Sequence, residues 1–151
     1  MKCLVVAVVL ALRATANTEK FSKEDLKKAF ETTEKLWTVL RNFNRDGEGG
    51  PVSCDYDTKV SLEGDEYQFT HHYKVAGKRI KVPLFGTLRQ EDEGGVLYVK
   101  ENKGVKGNRH VLRAFDKEEN CFILTHKNET SSKWETQKRH YINTQICLSL
   151  Y

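Results

Sequence analysis

The chain has 151 residues, of which 30% are charged, and a formal net charge of +4. That length suits one domain with a substantial hydrophobic core. Lysine and glutamate are interspersed from Lys20 to Lys35 and again from Lys100 to Glu119, without a stripe of one sign. This charge pattern is typical of a solvated surface and argues against nucleic acid as a partner.

The N-terminus has the features of a secretory signal peptide. An apolar run from Leu4 to Leu12 follows Lys2 and precedes Ala14-Thr15-Ala16, so we expect cleavage after Ala16. The run is shorter than the roughly 20 apolar residues that a bilayer span requires. We therefore expect residues 1–16 to be a signal peptide and residues 17–151 to form one secreted domain that does not insert into a membrane.

Three cysteines remain after residue 16, namely Cys54, Cys121 and Cys147. In an oxidising compartment, an odd number means that one cysteine is free, bridges another chain or lacks its partner. The cysteine count alone leaves these alternatives open.

A short amphipathic helix is predicted near the start of the mature chain. Ser22 is followed three residues later by Asp25, which is typical of a capping box, and the apolar residues Leu26, Ala29 and Phe30 share one helical face.

From residue 35 onward the hydrophobic period changes to two, which predicts β-strands. The breaks between the segments are rich in glycine, aspartate and asparagine, as turns require. Eight strands with short connections favour an antiparallel meander that closes into an up-and-down barrel. The predicted strands are Leu36 to Phe43, Cys54 to Leu62, Glu66 to Lys74, Arg79 to Arg89, Val96 to Glu101, His110 to Phe115, Cys121 to Lys127 and Lys133 to Tyr141.

The third predicted strand indicates which face points into the barrel. Tyr67, Phe69, His71 and Tyr73 share one parity and should point away from water. An eight-stranded barrel is just wide enough for one small ligand. Either these side chains line a ligand cavity or they simply fill the core, and the pattern does not decide between the two.

The order of several segments resembles a known family. These segments are EKLWTVLRNF, CDYDTKVSLEGDEYQFTHHYK, LFGTL, NCFILT and INTQICLSLY. Together with the signal peptide and the short helix, they make the chain similar to tick salivary lipocalins of the histamine-binding-protein type. The resemblance covers nearly the whole mature chain and implies an eight-stranded lipocalin barrel. Because family members usually keep a tryptophan on the first strand, it also implies a structural role for Trp37.

The resemblance suggests an account of the odd cysteine. It implies a disulfide between Cys121 and Cys147, whereas Cys54 would pair with a cysteine that follows a C-terminal helix. The sequence stops at Tyr151, where that helix would begin. We therefore expect either a truncated chain or a divergent member in which Cys54 is unpaired.

The resemblance also implies a function, which is the sequestration of a small host mediator such as histamine, serotonin, a leukotriene or a fatty acid. Amine-binding members carry an acid after the first cysteine of this region, but here the residues are Cys121-Phe122-Ile123. Glu135, which follows Trp134, could still pair with a buried amine, and Glu66 or Asp55 could serve elsewhere.

A fatty-acid-like mediator would instead need a cationic or hydrogen-bonding residue at the end of an apolar tunnel. Arg113 shares its parity with Val111 and Phe115, so Arg113 and His71 are candidates for this role, although an exposed arginine is the more ordinary outcome. The full set of candidate ligand-binding residues is Phe69, His71, Tyr73, Tyr98, Arg113 and Glu135.

Other motifs point away from catalysis. There is no nucleophile elbow, phosphate loop or dinucleotide fingerprint, and the histidines lack metal-ligand spacing. We expect a monomeric binding protein without a metal or cofactor, rather than an enzyme. Asn128-Glu129-Thr130 is a candidate glycosylation sequon in a predicted turn.

The alternative function is a protein-binding lipocalin, for example a complement inhibitor, that acts through the loops at 46–51 and 103–108.

Overall fold

The computed structural model describes residues 20–128 together with the backbone of residues 131–139, and it describes side chains up to residue 126. The predicted signal peptide and Cys147 lie outside these residues. Predictions about them stay predictions.

Helix α1 spans Lys23–Phe30 and begins at the predicted capping box. The Asp25 backbone N–H donates to Ser22 Oγ at 3.1 Å, and the Ser22 N–H donates to Asp25 Oδ2 at 3.1 Å. Because both bonds satisfy N–H groups that the first helical turn leaves unpaired, they fix where the helix starts. Its buried residues are Leu26, Ala29 and Phe30, as the helical pattern predicts.

All eight predicted strands are present, with ends that differ by at most a few residues. Within the described residues, each strand pairs with the next in antiparallel register and β8 pairs with β1, which closes the barrel. A short ladder between Asp46–Gly47 and Gly50–Pro51 lies in the β1–β2 loop. The strands are β1 Leu36–Arg41, β2 Ser53–Glu63, β3 Glu66–Val75, β4 Lys78–Glu91, β5 Gly94–Lys100, β6 Asn108–Asp116, β7 Cys121–Asn128 and β8 Ser131–Arg139.

Helix α1 closes one end of the barrel, because it contacts the turns that meet there. Lys23 Nζ lies 2.9 Å from an Asp65 carboxylate oxygen in the β2–β3 turn, and the Gly95 N–H donates to the Phe21 carbonyl at 2.6 Å. Phe30 then stacks on Tyr67 inside the barrel, with 4.8 Å between ring centroids. The β1–β2 and β5–β6 loops lie at the opposite end, which we call the mouth.

The core lies on the inner faces of the strands, between α1 and the mouth. Tyr67 and Phe69 are 1% and 5% exposed, so the predicted inward face of β3 is confirmed for these residues. The other fully buried residues of this cluster include Leu36, Leu88, Leu97, Leu112, Phe122 and Leu124.

One predicted parity is wrong. The ladder between β6 and β7 shifts register between Leu112 and Ala114, which marks a β-bulge or a comparable irregularity. The extra residue of a bulge changes which residues face inward. Phe115 consequently packs against the core, while Arg113 does not share its face.

Candidate functional site

The barrel encloses a cavity of about 450 Å³ that reaches from α1 to the mouth. Its apolar wall includes Phe30, Phe69, Leu84, Leu97 and Leu124, and its polar lining gathers mainly toward the mouth. This volume falls within the roughly 300–1,000 Å³ of small-molecule sites. The cavity therefore has room for one small molecule with an apolar body.

A group of charged side chains, Arg41, Arg45, Asp55, Asp57 and His71, forms what we call the mouth cluster. Asp55 is 6% exposed, and its Oδ2 lies 2.9 Å from Arg41 Nη1 and 3.4 Å from Arg45 Nη1. His71 Nδ1 lies 2.6 Å from Asp57 Oδ1. Buried carboxylates are stable only when they are paired in this way.

His71 lies at the centre of the mouth cluster. Burial alone would lower its pKa, but the hydrogen bond that His71 donates to Asp57 and the negative charges of Asp57 and Asp55 outweigh burial and raise the pKa above 6.5. Arg45 Nη1 lies 2.7 Å from His71 Nε2 and can donate to it only while that nitrogen is unprotonated. Protonated Nε2 would instead have Asp55 Oδ1 as its acceptor, at 3.5 Å.

Two further polar groups lie within the cavity wall. The Tyr67 hydroxyl and His110 Nδ1 are both buried, and neither has a hydrogen-bond partner within the described part of the chain. Burial lowers the pKa of His110 to about 3, with a smaller contribution from His126. Burial, together with the charge of Asp57, raises the pKa of Tyr67 far above its ordinary value. Both groups are therefore uncharged near neutral pH.

Of the predicted ligand-binding residues, Phe69 and His71 line the cavity. Tyr73 borders the mouth cluster instead. Its ring centroid lies 5.3 Å from that of His71, and the Arg45 guanidinium carbon lies over the Tyr73 ring, 5.4 Å from its centroid. It also borders a second, smaller cleft of about 230 Å³, which Trp37 and Tyr56 share.

Tyr98 and Arg113 are not among the residues that line the cavity, because their neighbours Leu97 and Leu112 occupy the inward positions. The Tyr98 hydroxyl donates to Glu91 at 2.6 Å, and Arg113 Nη2 donates to Glu93 at 2.6 Å. Arg109 joins them through two bonds to Glu91, at 2.9 and 2.7 Å. Tyr98 and Arg113 thus belong to an ionic cluster outside the cavity.

Three other predictions involve residues beyond 126, where the structure describes no side chains. Glu135 pairs through its backbone with Leu124 and Arg41, but its side chain lies outside the described residues. Cys121 is fully buried, and Cys147, its predicted disulfide partner, lies outside the described residues. Asn128 ends β7 and pairs with Ser131, so the sequon falls at the predicted hairpin. Glycosylation itself stays a prediction.

Cys54 and Trp37 lie outside the lining of the barrel cavity. Cys54 is a free cysteine among the described residues and has a φ of 50°. Trp37 is 6% exposed, and its ring packs at a tilt of 38° against that of Tyr56, with 4.5 Å between centroids. The packing agrees with a structural role for Trp37 on the barrel wall.

Sequence reasoning did not select Arg45 and Asp57. Arg45 lies in the β1–β2 loop, where no periodicity shows which way a side chain points. Asp57 could have been found from register, because it pairs directly with His71 and shares its inward face. An acid opposite an inward histidine is the pattern that would have identified it.

The described residues contain neither a group of side chains that could hold a metal ion nor a helix that could span a membrane. No group of three or more histidine, cysteine, aspartate or glutamate side chains in this part of the chain could hold a metal ion. No described helix is long and apolar enough to span a membrane.

Within the described residues, the closed antiparallel barrel, the helix across one end and the internal cavity define the fold as a lipocalin-type barrel. No protein-family profile matches the chain, and no curated protein matches it. Among solved structures, the chain is similar to Japanin from Rhipicephalus appendiculatus, which was crystallised bound to cholesterol. The two share 18% identity over 80% of this chain and 86% of that chain, with a TM-score of 0.49.

Proposed function

We propose that this protein is a secreted tick-type lipocalin that sequesters one small host mediator in its barrel and so counters host inflammation. The observation that carries the proposal is the barrel cavity of about 450 Å³, which has an apolar wall and a charged cluster at its mouth. An apolar pocket with a few convergent polar groups is the usual form of a small-molecule site. Binding, rather than chemical conversion of the ligand, is the proposed activity.

The mouth cluster favours a ligand with a carboxylate over one with an ammonium group. Asp55 is already paired with Arg41, and Asp57 with His71, so both acids have partners before a ligand arrives. The Arg45 side chain is 40% exposed, and besides the Nη1 that contacts Asp55 and His71 its guanidinium has further N–H donors that a carboxylate could reach. We therefore place a leukotriene or fatty acid ahead of histamine or serotonin.

The test is isothermal titration of the protein with histamine, serotonin, a leukotriene and arachidonate in one buffer. We expect one-to-one binding of the two lipids. Arg45→Gln should weaken that binding roughly tenfold or more, because a hydrogen bond to a charged group contributes about 1.5–3 kcal/mol.

Arg109→Gln is the matched control. It removes a cation of the same type from the ionic cluster outside the cavity, so lipid affinity should not change. Binding of the amines alone, with a loss in Asp57→Asn, would reverse the choice of ligand class. No heat from any of the four compounds would contradict the proposal.

A further inference from the structure

We propose that the interior of the cavity contains a subsite for an uncharged polar group, a hydroxyl or a carbonyl, built from the Tyr67 hydroxyl and His110 Nδ1. This inference rests on the proposed function and refines its ligand class. The ligand would be a molecule with an apolar body, a charged head at the mouth and a second, neutral polar group farther inside.

Tyr67 is the first component. It is 1% exposed, lines the cavity, and its ring is held between Phe30 at 4.8 Å and Phe69 at 4.7 Å. These stacking contacts fix the ring and with it the hydroxyl, which has no partner among the described residues. A buried hydroxyl without a hydrogen-bond partner destabilises the empty cavity, so a ligand group that pairs with the hydroxyl removes this cost on binding.

His110 is the second component, and it lies on β6, which β4 and β5 separate from β3 around the cavity wall. Tyr67 pairs with Gly86 on β4, and a Cβ on Gly86 would lie only 2.7 Å from Leu97 Cδ1. Leu97 in turn pairs with His110 on β6. Leu97 thus lies on the wall between the strands that carry Tyr67 and His110, and both of these residues line the same cavity.

The subsite should accept a neutral group and reject a charged one. His110 is uncharged because burial keeps its pKa at about 3, and burial also keeps the Tyr67 hydroxyl protonated. Neither can balance the charge of a buried carboxylate or ammonium group, and an unbalanced buried charge is costly. A hydroxyl or carbonyl needs only hydrogen bonds, which both residues can supply.

The experiment compares three probes that differ only at the end remote from the head group. They are dodecanoate, its omega-hydroxy derivative and dodecanedioate, and each is titrated into the full chain. A second pair, dodecylamine and its omega-hydroxy derivative, repeats the comparison with an ammonium head group. We expect the omega-hydroxy compound to bind roughly five- to tenfold more tightly than the plain chain. The dicarboxylate should bind more weakly than either.

Tyr67→Phe removes the hydroxyl and keeps the ring, so it should abolish the preference without lowering the thermal stability of the protein. Tyr98→Phe is the matched control, because it removes a hydroxyl that bonds to Glu91 outside the cavity. The preference should persist in that variant.

The outcomes separate this inference from the proposed function. Equal affinity for plain and hydroxylated chains in the unmodified protein would overturn the subsite alone, as would a preference that survives Tyr67→Phe. If no probe of either head group binds, the proposed function fails and the subsite fails with it.

Discussion

His71 and His72 are neighbours on β3 whose side chains lie in opposite electrostatic surroundings. His71 faces Asp57 and Asp55 inside the barrel, and its pKa is raised. His72 stacks on Tyr56 with 4.5 Å between centroids. Burial lowers the pKa of His72, and the positive charges of Lys81, His71 and Lys35 lower it further. One residue step along the strand therefore reverses the preferred protonation state.

These two shifts predict opposite effects of pH on stability. A raised pKa means that the folded state binds the proton more tightly, so the stabilisation from His71 is present below pH 6.5 and is lost as the pH rises through the raised value. A lowered pKa means that the stability linked to His72 is lost as the pH falls below 6.5. Each group contributes a slope of at most about 1.4 kcal/mol per pH unit.

The measurement is the free energy of unfolding by denaturant, at a series of pH values, for the unmodified protein, His71→Gln and His72→Gln. The difference between the unmodified protein and His71→Gln should shrink with rising pH. The corresponding difference for His72→Gln should grow. Parallel curves for the two variants would show that the mouth cluster does not bind the proton as described.

At the level of single residues, the sequence predicts side chains on regular strands better than side chains near irregularities. The alternation on β3 was sufficient to place Phe69 and His71 inside, because side chains on a regular strand follow period two. Arg113 and Phe115 were assigned to one face wrongly, because a register shift lies between Leu112 and Ala114. A one-residue shift moves a side chain to the opposite face, and the sequence does not mark where it occurs.

At the scale of elements, the position of α1 depends on a close backbone contact. Gly95 N donates to the Phe21 carbonyl at 2.6 Å, and a Cβ on Gly95 would lie 2.5 Å from the Ser22 carbonyl oxygen. Only glycine leaves room for the chain to enter the helix at this point. The capping box predicted where the helix starts, but nothing in the sequence indicated that β5 would approach it so closely.

Gly95→Ala should therefore destabilise the protein by about 1–3 kcal/mol, since the added methyl group has to displace backbone rather than a flexible side chain. The measurement is the denaturant midpoint at constant slope. Val105→Ala, at a residue that is 56% exposed, is the control and should change stability by less than about 0.5 kcal/mol. A Gly95→Ala variant as stable as the control would mean that α1 is not held at this contact.

For the whole molecule, the sequence predicted the eight strands and their antiparallel order, because each strand has its own alternation and each break its own turn residues. Closure followed from the same pattern, since a meander of this length removes its edges by pairing β8 with β1. The existence of an open cavity did not follow. Whether Tyr67, Phe69 and Leu84 fill the barrel or line a space depends on their packing in three dimensions.

A substitution that fills the cavity distinguishes a ligand bound inside the barrel from one bound outside it. Leu84 lines the cavity, and Leu84→Trp would occupy part of that space, whereas Val60→Trp adds the same side chain at a position that is 66% exposed. Arachidonate should be titrated into both variants after thermal unfolding confirms that each is folded. We expect at least a tenfold loss of affinity in Leu84→Trp and none in Val60→Trp. Equal affinity in the two variants would place the ligand outside the barrel and contradict the proposed function.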